Sequence, residues 1–132
     1  MIQKLVPDAK TVGVFYTSSE TNSKLQADMA IEAGEKLGYT METYTVSQSS
    51  EIQQVVESMV GKIDALYIPT DNLLASNMPT VSMVANQAKI PTICGESGMV
   101  ENGGLITNGI NYFDLGVLTG KQAAEILEGA DP

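Results

Sequence analysis

The residues of this sequence that could do chemistry fall in four polar stretches, 16–23, 70–72, 95–99 and 108–114, each following an apolar run. The first reads Tyr16-Thr17-Ser18-Ser19-Glu20-Thr21-Asn22-Ser23 and packs five Ser and Thr hydroxyls ahead of a helical pattern. Hydroxyls and unpaired N–H groups at a helix N-terminus suit an anionic group, a carboxylate or a phosphate. Helix capping draws on the same residue types but needs only one of them. The second stretch, Thr70-Asp71-Asn72, places a carboxylate where it could either meet a ligand ammonium or cap the next helix. Glu96 and Ser97 present the same two readings. Asn111 and Tyr112 add an amide and a ring, and Tyr16 could fill core or stack on a flat ligand. No stretch matches a glycine-rich phosphate loop.

What is missing narrows the chemistry. The chain carries seven lysines, no arginine and no histidine, with a formal net charge of -9. Without Arg there is no planar fork for a phosphate or carboxylate, and an acidic surface disfavours nucleic acid and anionic lipid as partners. Without His the commonest metal ligand and neutral-pH base is absent, so catalysis would have to run on carboxylates, hydroxyls or Lys; no metal, cofactor or catalytic site is expected. The one cysteine, Cys94, lies in the apolar run Pro91-Thr92-Ile93-Cys94 and reads as a packed thiol, with no His to activate it. A single Cys forms no internal disulfide and leaves the compartment open.

Those loops need elements to hold them. At 132 residues, 43% of them hydrophobic, the chain fits one domain able to bury roughly two-thirds of its unfolded surface. No apolar run approaches the roughly 20 residues of a membrane span, and no leader pattern opens at Met1, so the segment reads as soluble. Five β-rich runs are expected at 11–17, 40–46, 63–69, 91–94 and 105–110. The first, third and fourth are almost continuously apolar, as strands covered on both faces are; the second alternates, as an edge does.

Between them lie helical periods. Leu25, Met29, Ala33 and Leu37 form a stripe ended by Gly38, and Ile52, Val55, Val56, Met59 and Val60 form a stronger one, opened by a Ser50–Gln53 capping box and closed by Gly61. Met78, Val81, Val84 and Ala88 follow Asn77 as N-cap, with Pro79 in the first turn. A last helix is expected over 114–128 with Leu115, Leu118, Ile126 and Leu127 facing inward. Strands alternating with helices predict an α/β fold, a doubly wound five-stranded parallel sheet in the flavodoxin-like order 2-1-3-4-5. In that architecture ligands bind beyond the carboxyl ends of the strands, where the four polar stretches fall.

The runs Pro7-Asp8-Ala9-Lys10-Thr11-Val12-Gly13-Val14, Tyr67-Ile68-Pro69-Thr70-Asp71-Asn72, Ala88-Lys89-Ile90-Pro91 and Gly109-Ile110-Asn111-Tyr112-Phe113-Asp114-Leu115-Gly116 resemble the ABC-transporter substrate-binding proteins of the tryptophan- and tyrosine-binding group. The resemblance covers essentially the whole chain. It implies the second lobe of a two-lobed, non-enzymatic protein of the type I periplasmic-binding-protein fold, whose first lobe and return segment after Pro132 lie outside this sequence. It further implies an amino acid, in a narrower reading an aromatic one, held between lobes and delivered to an ABC permease. It places the protein outside the cytoplasm, periplasmic or as an extracellular lipoprotein. Carried over loop by loop, it makes Tyr16, Ser18, Ser19, Glu20 and Asn22 ligand-binding candidates, with Thr70, Asp71, Asn72, Glu96, Ser97 and Asn111. An ammonium near Asp71 or Glu96 and a carboxylate on hydroxyls and helix N-termini would follow. Asn111 stands where many relatives carry Asp, which weakens that position as an ammonium site.

Three other classes compete. A flavodoxin-like FMN-binding electron carrier fits the hydroxyl-rich first loop and the acidity, but Glu20 would face the phosphate and there is no Trp for the flavin ring. A phospho-acceptor receiver domain could use Asp71, yet lacks an acidic pair after the first strand and a Lys after the fifth. An enzyme has no nucleophile–base pairing to argue from.

Overall fold

The computed structural model describes residues 1–131. In chain order they form α1 (Ile2–Leu5), β1 (Thr11–Thr17), α2 (Thr21–Lys36), β2 (Thr40–Val46), a 3-10 turn (Ser49–Glu51), α3 (Ile52–Met59), β3 (Ala65–Ile68), α4 (Asn72–Ser76), α5 (Met78–Gln87), β4 (Thr92–Glu96), α6 (Ser97–Glu101), β5 (Ile106–Ile110) and α7 (Tyr112–Leu127). The five strands are all parallel, in the order β2-β1-β3-β4-β5. This is the doubly wound order the alternation predicts, and the β2 edge is where the alternating run falls.

The main core lies on one face of the sheet. Phe15, Leu66 and Ile68 point into a layer made by Ile52, Val56 and Met59 of α3, Leu74 of α4 and Met78, Val81, Val84 and Ala85 of α5. Each large apolar side chain buried there contributes about 1.5–3 kcal/mol, so this layer dominates stability. Pro79 falls in the first turn of α5, where its missing N–H is no loss. Asn77 precedes that helix but makes no side-chain cap; its amide donates to the Leu73 carbonyl instead. At the amino end of β1, Asp64 accepts from the N–H groups of Lys10 and Thr11 at 2.8 and 2.9 Å. Those two donors hold its carboxyl below the usual range.

On the opposite face α2 covers β1 and β2 with a smaller cluster of Val14, Tyr16 and Ala27, packed by Ile31, Met41 and Tyr67. Here the expected stripe is corrected in phase. Ser23, Ala27 and Gly34 face the sheet, whereas Leu25, Met29, Ala33 and Leu37 are exposed. The helix lies so close to the strands that the Met41 side chain fills the space a Cβ at Gly34 would take. Small residues therefore mark the packed face, and a stripe read by hydrophobicity alone lands on the other side.

Three further expectations change. The Ser50–Gln53 box does not form; Glu51 reaches back to accept from the Ser47 N–H at 2.8 Å, stabilising the 3-10 turn that precedes α3. Val60, read into the α3 stripe, lies past its end and is exposed. On α7, Leu115, Leu118, Ile126 and Leu127 are all exposed, and no residue of that helix is buried in the described chain. Short α1, α4 and α6 have no counterpart in the periodicity, and β4 runs on through Gly95 to Glu96. No described helix is long and apolar enough to cross a membrane.

Candidate functional site

The carboxyl ends of β1, β3, β4 and β5 surround an open hollow of about 400 Å3 lined by Asn22, Thr70, Asp71, Asn72, Ala75, Glu96 and Tyr112. A second hollow, of about 220 Å3, lies near the amino ends of the strands among Met1, Ile2, Leu37, Met41 and Tyr67. Its walls are nearly all apolar and carry no convergent polar groups, so the first is the site with chemistry.

Its floor is the loop after β3, gripped by α2. The Thr70 carbonyl accepts from the Asn22 amide and the Ser23 hydroxyl, both at 3.0 Å, while the Thr70 N–H donates to the Gln26 side-chain carbonyl at 3.0 Å. The Gln26 amide also donates to the Thr70 hydroxyl. From the other side Gly95 presses on the same loop: a Cβ there would stand 2.7 Å from the Pro69 carbonyl carbon and against the Thr70 nitrogen. Only glycine permits that approach.

The carboxylates of the site are committed to backbone. Asp71, 3% exposed, accepts from the Thr17 N–H at 2.7 Å, the Thr17 hydroxyl at 2.8 Å and the Leu74 N–H at 2.9 Å. Glu20 accepts from the N–H groups of Asn72 and Leu73 at 3.0 Å and from the Asn72 amide at 2.9 Å. Partial burial pushes the Glu20 carboxyl up, but these donors outweigh it and hold it below its ordinary value. Asp71 and Glu20 together therefore take the first three N–H groups of α4. Glu96, 8% exposed, caps α6 through the N–H groups of Gly98 at 2.9 Å and Met99 at 2.8 Å. Asn111 caps α7, accepting from Phe113 at 3.0 Å and Asp114 at 3.2 Å. Among these helices only α2 begins without a side-chain cap.

Of the residues singled out in the sequence, Asn22, Thr70, Asp71, Asn72, Glu96 and Tyr112 come together around the hollow, and Tyr16, Ser18, Ser19, Glu20, Ser97 and Asn111 do not line it. Tyr16 is core beneath α2. Ser18 donates to the Val46 carbonyl at the β2 edge. Ser19 is exposed in the turn, Ser97 opens α6, and Glu20 and Asn111 work as described. The hydroxyls of Thr17, Ser18 and Ser23 are tied to Asp71, Val46 and Thr70, so three of the five hydroxyls of the first loop already donate within the fold. Helix N-termini α4, α6 and α7 are likewise closed to a ligand carboxylate by their caps.

Two residues were missed. Gln26 follows Asn22 by one helical turn, and that i, i+4 spacing of amides was the available signal. Ala75 carries none. Cys94 is buried in β4 with its thiol pushed up to about 11, first by burial and then by the neighbouring Glu96 charge, so it is an unreactive packing residue. Among the described residues no cluster of metal-ligating side chains occurs.

The profile of the family described as ABC transporter substrate binding protein matches residues 1–132. A tyrosine-binding protein of Clostridioides difficile strain R20291 is 48% identical over 129 residues, which are 98% of this chain and 37% of that protein. A ligand-free, open substrate-binding protein with adhesive properties from Clostridium difficile superposes with a TM-score of 0.83 at 49% identity, over 98% of this chain and 44% of its own. An ABC domain from Streptococcus pneumonia, in complex with L-Trp, gives 0.86 at 43% identity, over 99% and 46%. The chain thus spans less than half the length of these relatives.

Proposed function

The chain belongs to the ABC transporter substrate-binding protein family, and from that premise we propose that it is the second lobe of a two-lobed protein, its polar hollow forming one wall of a cleft for an amino acid, an aromatic one first. The observation that carries this reading is the convergence of Asn22, Thr70, Asn72, Glu96 and Tyr112 at the carboxyl ends of parallel strands, in a chain whose relatives include a tyrosine-binding protein and an L-Trp complex. The family is one of binding proteins rather than enzymes.

The caps decide which groups meet which end of the ligand. Asp71 already accepts three hydrogen bonds and is almost fully buried, so it shapes the wall without meeting the ammonium. Glu96 accepts one bond on each oxygen and keeps a lone pair on each. It is the ammonium partner in this reading. The ligand carboxylate is directed to the uncapped N-terminus of α2 beside Asn22, where the helix dipole favours negative charge. Tyr112, at the start of α7, offers the ring face for an aromatic side chain. The other half of the contacts comes from the lobe outside this sequence, and the closed protein delivers the solute to an ABC permease on the outer face of the membrane.

Calorimetry of the full-length protein against the twenty amino acids, tyrosine and tryptophan first, tests the assignment. Glu96→Gln should weaken binding about tenfold, the loss of one charge-assisted hydrogen bond. Absence of binding across the panel would overturn the amino-acid reading. The 132-residue chain alone should bind far more weakly, since closure and half the contacts are missing.

A further inference from the structure

Every polar atom of Thr70 is held by one face of α2. Its carbonyl accepts from Asn22 and Ser23, its N–H donates to the Gln26 side-chain oxygen at 3.0 Å, and its hydroxyl accepts from the Gln26 amide. Residues 22, 23 and 26 fall within an arc of about 100° on the helix. The direction of the last bond is fixed by the one before it. A backbone N–H can only donate, so the Gln26 oxygen must face it, and turning the amide over would oppose two donors. The Gln26 nitrogen therefore faces the Thr70 hydroxyl, and a hydroxyl that accepts from a neighbour aims its own proton elsewhere. Three other hydroxyls at this end of the sheet differ. Thr17, Ser18 and Ser23 donate theirs to Asp71, Val46 and Thr70. Thr70 donates its hydroxyl proton to none of the described residues, and it lines the polar hollow.

We propose that Gln26 is a positioning residue that keeps the Thr70 proton unspent, so that this hydroxyl donates to the carboxylate of the bound amino acid. The proposal rests on the amino-acid reading above and adds the polarity of one point on the wall. A proton needs an acceptor, and of the two charged ends of an amino acid only the carboxylate is one. Asn22, whose amide reaches the Thr70 carbonyl, stands in the first turn of α2, so Thr70 lies beside the helix N-terminus assigned to that end of the ligand. Accepting from Gln26 also polarises the O–H bond and strengthens what it donates. Gly95 presses on the Thr70 nitrogen from the β4 side, which leaves the donor little room to shift. Gln26 itself does not line the hollow and acts only through Thr70.

Gln26→Glu tests this in the full-length protein, titrated calorimetrically with L-tryptophan and L-tyrosine. A carboxylate at that position accepts from the Thr70 N–H and from the Thr70 hydroxyl together, which keeps the loop in place but spends the proton. Affinity should fall about 30-fold, the loss of a charge-assisted hydrogen bond with added repulsion, while the melting temperature stays within about two degrees. The new charge acts on the ligand in its own right, so the same substitution is repeated in two backgrounds. With Thr70→Ser, which keeps the hydroxyl, it should again cost about 30-fold; with Thr70→Val, which removes it, only about 3-fold. Equal costs in the two backgrounds, or no loss in the first place, would overturn the role of Gln26. A parent protein that binds neither amino acid would instead sink the amino-acid reading. Neutron diffraction from ligand-free crystals then still decides the position of the proton. Deuterium on the Thr70 hydroxyl should be turned away from Gln26, and deuterium directed at Gln26 would overturn the proposal.

Discussion

Helices α3 and α7 look alike as patterns and differ completely as structure. Both carry apolar residues at helical spacing, but α3 buries Ile52, Val56 and Met59 against the sheet and α5, whereas α7 buries nothing. Periodicity reports that a helix has a face to cover. It does not say which body covers it, and only α3 finds that body within these residues.

The sharpest way to break the contrast is to cut into the covered helix. Met59→Ala should cost about 2–5 kcal/mol, the range for truncating a large side chain in a closed core, as a fall in the denaturant midpoint at constant slope. Next comes the frame between the two regions. Asp71→Ala strips an acceptor from the Thr17 N–H and hydroxyl and from the α4 N-terminus, and should cost about 2 kcal/mol or somewhat more. Asp71→Asn should recover part of this, because its carbonyl can still cap.

A smaller effect is expected from acid. Glu20 and Asp64 both have folded-state values below their ordinary 4.5 and 3.8, held down by backbone donors. Groups shifted that way stabilise the fold fully above the unfolded value and lose the contribution as pH falls through the folded one. Stability should therefore decline once pH drops below about 4.5, and Glu20→Gln with Asp64→Asn should flatten that decline in melts run between pH 6 and 3. Smallest of all is Leu118→Ala on α7, expected within about 0.5 kcal/mol of the parent in this chain. A loss comparable to Met59→Ala would show that α7 packs where it has been described as bare.

The contrast also explains what could be read from residues alone. β1 and β2 begin and end where their β-rich runs do, at Thr11–Thr17 and Thr40–Val46, because turn residues bound them closely. Strand order followed from alternation and handedness. The phase of α2 was not legible, since close packing selects small residues and hydrophobicity scales reward large ones. Five-residue helices such as α4 and α6 are too short to show a period. For the site, the fold rule pointed to the loops at the carboxyl ends of the strands, where the polar hollow lies, but Asp71, Glu96 and Asn111 are residue types equally suited to capping and to ligand contact. Only three-dimensional partners distinguish the two, and in all three a cap is made.

Gly95 has a bearing on how such a wall can change over time. Because the backbones of the β3 and β4 ends touch there, their spacing on that side of the hollow is set by main-chain contact. Position 95 is closed to larger side chains, and Asn22, Thr70 and Asn72 are tied into the frame by their own hydrogen bonds, while Tyr112, 55% exposed, stands on it without holding it. A lineage could reshape the hollow at that rim position and keep the same mould.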